Sequence, residues 1–434
     1  MARRPSRELR EIRRDLERRP ARRSGSTRVT YRRRRASVTL AAVVVLAGAA
    51  LLGSAIAGNS GGHTGHTGHV PTRSTGSSTA TQPTTSHTTT SPPTTTAPNR
   101  TRTKRQRTIP ATFAVASLQL TYEEPSAANI ATGRTVLGTP VRTLPTLVLY
   151  PSTGRAGSGS GATPAPAKAD GPFPLIVFSQ GFDLAPTAYL GLLRAWARAG
   201  YVVAAPTYPD TDFNAPRTPD EAPGTLNEAD IVNHPADLRF VVSSLIGTAA
   251  ERTSPLYGLI NAQQIALIGH SDGGDVSLAA AANSCCQLPH IAAAVILSGA
   301  ELASFGGSYF ASGSPPLLVT QGSADTINVP ACSVQIYDAA PAPKYYLNIP
   351  NAEHEPPYID PGPMRTGVIR ATLAFLAAYV KNRPAALNAL QDGGSLPAGE
   401  TLSSGPAAPP LSTTAIAGTT TLTTPVTNTV CPGA

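Results

Sequence analysis

The residues best suited to covalent chemistry are Gly269-His270-Ser271-Asp272-Gly273-Gly274. They directly follow the apolar run Ile265-Ala266-Leu267-Ile268 and precede an apolar helical pattern. A serine in G-x-S-x-G at a strand-to-helix turn is a nucleophile elbow. The turn is strained and closely packed, so side chains in place of Gly269 and Gly273 would strike the neighbouring strand and helix. Ser271 Oγ is then presented above a sheet edge, at the positive end of the following helix, where developing negative charge is favoured.

A serine hydroxyl alone is a weak nucleophile. It needs a base, and the base needs an acid to orient it. With this elbow the expected chain order is serine, acid, histidine. Asp325 falls just after the apolar run Leu317–Gln321, in Gln321-Gly322-Ser323-Ala324-Asp325. His354 falls just after Tyr345–Ile349, in Asn351-Ala352-Glu353-His354-Glu355. Both are loop positions at the C-terminal ends of expected parallel strands, the edge where open α/β sheets bind ligands. The rivals are placed worse. His270 belongs to the elbow and is expected to point elsewhere, and His290 precedes a strand. His234 begins a helix beside Pro235, and Asp338 falls inside the helix after Asp325. An oxyanion hole requires two backbone donors. The N–H of Asp272 supplies one, and the N–H of Phe182, in Ser179-Gln180-Gly181-Phe182, supplies the other.

The elements that must hold these loops are legible as alternating strand and helix signals. Strand-like runs are 114–122, 146–150, 175–179, 201–206, 265–269, 293–298, 317–321 and 345–349. Several are unbroken apolar runs, as in strands covered on both faces. Helical patterns lie at 189–196, 231–246, 272–282 and 368–380. This alternation predicts an α/β fold whose central sheet is mostly parallel and flanked by helices. The first two strands have no helix between them and are expected to form an antiparallel edge. The loop 207–227 is expected to border the pocket, and 156–168 reads as a surface insertion.

Taken together, the Phe178-Ser179-Gln180-Gly181-Phe182 segment, the Ser271 elbow, the Asp325 loop and the His354 loop resemble the α/β-hydrolase superfamily. Within it they look like the group of platelet-activating-factor acetylhydrolases, dienelactone-hydrolase-like enzymes and cutinase-like polyester hydrolases. The resemblance covers about residues 112–383 and includes Ala236-Asp237-Leu238-Arg239-Phe240-Val241, where Asp237 and Arg239 read as structural. Many of these relatives carry histidine where Gln180 stands. Dienelactone hydrolases proper use a cysteine nucleophile, which Ser271 argues against. The resemblance implies the α/β-hydrolase fold and serine-hydrolase cleavage of small-molecule or lipid esters, carboxylesterase- or lipase-like. Ser271, Asp325 and His354 would be catalytic, with no metal and no cofactor. A peptidase or amidase on the same scaffold, and a surface binding protein that keeps the fold without activity, are the alternatives.

Charge separates this body from its flanks. Residues 1–107 hold 21 Lys+Arg against 4 Asp+Glu, and the remainder holds 14 against 22. An acidic folded region argues against nucleic-acid binding. The basic arm, 1–36, leads into an uncharged apolar run at 37–57, long enough at about 1.5 Å per residue to span a bilayer. Arginines on its N-terminal side place the arm in the cytoplasm and the rest outside. A transmembrane signal anchor is the favoured reading; a signal peptide cleaved after Ala57 is the alternative. Residues 58–107 form a Ser/Thr/Pro linker expected to be disordered, with His63, His66 and His69 as polar linker or a weak metal site. The catalytic domain is expected at 108–390 and a disordered low-complexity tail at 391–434. An exported chain permits disulfides, and Cys332 is expected to pair with Cys285 or Cys286; free thiols are the alternative.

Overall fold

The structure, a computed structural model, describes residues 112–124, 128–129, 134–135, 142–154, 165–216, 226–391, 395–409 and 431. The basic arm, the apolar run 37–57, the linker with its three histidines and most of the 156–168 insertion lie outside the described residues. Among the described residues no helix is long and apolar enough to cross a membrane.

The backbone forms a nine-stranded sheet. In chain order the strands are β1 (Ala114–Glu124), β4 (Arg142–Ser152), β5 (Phe173–Ser179), β6 (Val202–Pro206), β7 (Ile260–His270), β8 (Ile291–Leu297), β9 (Leu317–Gly322), β10 (Lys344–Ile349) and β11 (Thr401–Ser403). A separate two-residue ladder joins β2 (Ala128–Asn129) to β3 (Arg134–Thr135). The spatial order is β1-β4-β6-β5-β7-β8-β9-β10-β11. The six strands from β6 to β10 are mutually parallel. Antiparallel pairs close the sheet: β1 with β4 and β4 with β6 on one side, β10 with β11 on the other. The expected antiparallel edge of the first two strands is present. All eight expected strands form, most with one or more added residues.

Continuous apolar runs become strands here because both sheet faces are covered. In β5, Leu175 and Val177 enter one core while Ile176 and Phe178 enter the other. Ile265 and Leu267 of β7 likewise oppose Ala266 and Ile268. Helices α2 (His234–Ala250), α3 (Asp272–Ala282) and α4 (Pro330–Ala339) cover the first face. Helices α1 (Leu190–Arg198), α5 (Pro356–Ile359), α6 (Pro363–Tyr379) and α7 (Ala385–Gln391) cover the second. The single tryptophan, Trp196 on α1, is fully buried and donates from Nε1 to Thr372 Oγ1 on α6 at 3.0 Å. The order of strand addition reverses between β5 and β7: β5 continues to β6 on one side, and the chain then crosses back to β7 on the other. The crevice at the C-terminal ends of β5 and β7 is the topological switch point of the sheet, the usual place for a ligand.

Two expectations are corrected. The ordered body does not stop at 390. Residues 395–409 return along the sheet edge, where β11 pairs with β10 (Leu402 opposite Leu347). Tyr337 Oη donates to Gly405 O at 2.6 Å, and Ala408 N donates to Asp338 Oδ1 at 2.7 Å. The cysteine pairing also differs. Cys332 on α4 is joined to Cys431, and Cys285 is joined to its neighbour Cys286. Cys431 thus lies at α4, the helix that Gly405 and Ala408 also touch.

A buried ion cluster ties the antiparallel edge to α2. Arg142, at the start of β4, donates Nε and Nη2 to the two oxygens of Asp237, both at 2.6 Å. It donates Nη1 and Nη2 to the two oxygens of Asp230 at 2.9 and 2.6 Å. Asn233 Nδ2 adds a third donor on Asp230 at 2.5 Å, and His234 Nε2 lies 3.3 Å from its other oxygen. Burial alone would push the Asp230 carboxyl up, but the Arg142 guanidinium outweighs it and holds the group at about 2. Asp237 is therefore structural, as expected. Asp230, His234 and Asp237 are the one group among the described residues with metal-ligand spacing, and the cation between their carboxylates is Arg142.

Candidate active site

Ser271 sits at the turn between β7 and α3 with φ 54° and ψ −126°. A non-glycine residue with positive φ is strained and persists only where its surroundings enforce it. The enforcement is visible in the two elbow glycines. A Cβ on Gly269 would land on the Gly273 carbonyl and 2.6 Å from Ser277 Oγ. A Cβ on Gly273 would land on the Ser179 carbonyl at the end of β5. Close approach of β7, α3 and β5 leaves no room there, which is why both positions carry glycine. Ser271 keeps 9% of its surface exposed while its neighbour His270 is fully buried.

Asp325 lies in the loop after β9, and its carboxylate has four donors. Oδ1 accepts the N–H groups of Ile327 at 2.9 Å and Asn328 at 3.0 Å. Oδ2 accepts from Gln321 Nε2 at 3.2 Å and from His354 Nδ1 at 2.7 Å. Gln321 is itself held by Ser333 Oγ of α4, which donates to Gln321 Oε1 at 2.6 Å. The acid is buried, saturated and fixed from two elements.

That saturation sets the tautomer of His354. A carboxylate only accepts, so Nδ1 carries the proton and Nε2 presents a lone pair. His354 Nε2 is buried and has no hydrogen-bond partner in the structure. The ring stands beside the elbow: the His270 and His354 rings are 4.7 Å apart, and His270 Nε2 lies 3.0 Å from the His354 carbonyl oxygen. Ser271 Oγ and His354 Nε2 are not hydrogen-bonded here. In ligand-free serine hydrolases that contact is often loose and tightens with substrate.

The loop after β5 lies against Ser271. A Cβ on Gly181 would sit 3.2 Å from Ser271 Cβ, so glycine is what lets this backbone approach. The Gly181 N–H donates to Tyr189 Oη at 3.2 Å, which leaves the Phe182 N–H as the loop's candidate oxyanion donor. Asp272 is the first residue of α3, so its N–H belongs to the helix N-terminus beside Ser271. The Gln180 amide bridges this loop to the next: Nε2 donates to Pro206 O at 2.6 Å, while Oε1 accepts from Tyr208 N at 3.2 Å. Asp183 N donates to Thr211 O at 2.7 Å. The described part of the 207–227 loop thus borders the site as expected.

Ser271, Asp272, Asp325 and His354, with the loop that carries Phe182, fall at this one sheet edge. Three of the rivals do not: His290 precedes β8, His234 is in the ion cluster, and Asp338 is on α4, accepting from Ala408. Sequence reasoning missed Gln321, Ser333 and Tyr189, and read His270 too lightly. A glutamine closing an otherwise apolar strand was a usable signal for Gln321. His270 does point away from the crevice, but into a hydrogen-bonded pair with Tyr189 and the His354 carbonyl, not into plain packing. No protein-family model matches the chain, and no curated protein matches it.

Proposed function

We propose that the protein is a serine hydrolase of the α/β-hydrolase type that cleaves carboxylic esters through an acyl-enzyme. The observation that carries this reading is the buried, unpartnered Nε2 of His354, oriented by Asp325 and set beside a strained elbow serine. In this reading Ser271 Oγ attacks the ester carbonyl while His354 Nε2 takes its proton. The N–H groups of Phe182 and Asp272 stabilise the tetrahedral oxyanion. The imidazolium, held by Asp325, then protonates the leaving alcohol. Water, deprotonated by the same nitrogen, releases the acid and restores Ser271. The strand-to-helix elbow, the acid and base following it in chain order and the second donor loop after β5 all support the α/β-hydrolase assignment, as does the sequence resemblance. The apolar run at 37–57 would anchor this body outside the membrane.

Labelling by a fluorophosphonate, together with turnover of p-nitrophenyl acyl esters, tests the reading. Wild-type protein is expected to be labelled and active, and Ser271→Ala neither. Absence of labelling in the wild type, or equal labelling of Ser271→Ala, sinks it. Faster cleavage of aminoacyl anilides than of esters would move the assignment to a peptidase.

A further inference from the structure

His270 makes two hydrogen bonds that leave no choice of tautomer. Its Nε2 faces the His354 carbonyl oxygen at 3.0 Å, which can only accept, so Nε2 is the protonated nitrogen. The ring is fully buried between Tyr189, His354 and Tyr358, with centroid distances of 5.6, 4.7 and 4.7 Å. Burial, and then the neighbouring His354, hold its pKa well below the usual histidine value, so the ring is neutral. Nδ1 is therefore bare and accepts from Tyr189 Oη at 2.7 Å. With its proton committed, Tyr189 Oη accepts the Gly181 N–H at 3.2 Å. The result is one directed chain: Gly181 N–H to Tyr189 O–H to His270, and His270 N–H to the His354 carbonyl.

We propose that His270 is a positioning residue: through Tyr189 it ties the 180–182 loop to the main chain of His354, so that oxyanion donors and base keep one geometry around Ser271. This rests on the serine-hydrolase reading and deepens it. The chain starts on the loop that carries one oxyanion donor. It runs beneath the nucleophile, within the residue next to Ser271, and ends on the backbone of the base. By occupying the Gly181 N–H it also leaves Phe182 as the donor of that loop. A device of this kind acts on the transition state, where both donors and the base are engaged at once, and barely on substrate binding.

Two substitutions in the full-length protein test it. Tyr189→Phe removes the middle hydroxyl at nearly constant volume, and His270→Phe removes both nitrogens while keeping a ring. On a p-nitrophenyl ester kcat is expected to fall about tenfold in Tyr189→Phe, the loss of one hydrogen bond. It is expected to fall about a hundredfold in His270→Phe, the scale of a misplaced reacting group. KM should stay within about twofold in both. His270→Gln, which keeps a donor for the His354 carbonyl, is expected to recover about tenfold of the loss. Wild-type kcat in Tyr189→Phe and His270→Phe, or a loss that falls on KM alone, overturns the inference while leaving the hydrolase reading intact. An inactive, unlabelled wild type defeats the hydrolase reading first. Should His270→Phe fail to fold by circular dichroism, Tyr189→Phe decides alone.

Discussion

Two buried polar clusters in this protein use the same residue types to opposite ends. Around Arg142, every oxygen of Asp230 and Asp237 meets at least one guanidinium nitrogen, and nothing is left over. Around Asp325, the carboxylate is equally well supplied, but the chain of bonds runs on through His354 and stops at a bare Nε2. The first cluster is closed and holds β4 against α2. The second is open at one atom, on a ring 4.7 Å from that of His270 in the elbow. An unsatisfied buried nitrogen is a stability cost; in the proposed hydrolase reading this one is the general base.

The largest effects should separate the open cluster from its scaffold. Ser271→Ala is expected to lower kcat by on the order of 10⁴-fold or more, with a melting temperature matching wild type. Asp325→Asn is expected to lower kcat by about 10⁴-fold, because the amide favours the wrong imidazole tautomer. Near-normal rates in a folded Asp325→Asn protein would reassign the acid. The closed cluster should behave the other way. Arg142→Met leaves two buried carboxylates facing each other and is expected to cost about 3–5 kcal/mol in a denaturant titration, with kcat per folded molecule unchanged. A rate loss in the folded fraction would mean the two clusters are coupled and the contrast is false.

Smaller effects sharpen the same contrast. Cys332→Ser opens the bridge to Cys431 and is expected to cost about 2–5 kcal/mol, again without touching kcat of folded protein. Equal unfolding midpoints with and without reductant would show the bridge to be idle. At the rim of the closed cluster, Glu124 is pushed up to about 8 by burial and then by the Asp237 carboxylate. The unfolded carboxyl loses its proton near the ordinary 4.5. Between these values the folded protein holds a proton the unfolded chain has released, so stability should fall as pH rises through that window and level off above 8. Glu124→Gln should flatten the fall. Unfolding midpoints measured at pH 5 and pH 9 in both proteins decide this.

The sequence exposed the parts of this site that local pattern specifies. Ser271 was readable because an apolar strand, two glycines and an apolar helix surround it. Asp325 and His354 were readable because each follows a strand in the required order. The supporting bonds were not readable, because they join residues with no shared periodicity. Arg142 meets Asp230 and Asp237 across 88 and 95 positions, and His270 meets His354 across 84. Strand β11 was missed for a related reason. Three residues, Thr401–Ser403, within a Thr- and Pro-rich stretch carry no hydrophobic pattern, and an edge strand needs little when its partner β10 supplies the apolar face. Composition set the body's limit at 390, while the cysteine at 431 was the sign that the chain returns.

That return has a practical side. A recombinant chain ended at residue 390 would strip β11 from β10 and leave the outward-facing N–H and C=O groups of the stretch 346–348 open to pairing with another copy. It would also leave Cys332 as a thiol without Cys431, its partner among the described residues. Self-association through a bared strand, and cross-linked dimers under air, are the expected behaviour of such a truncation; ending the chain beyond Cys431 avoids both.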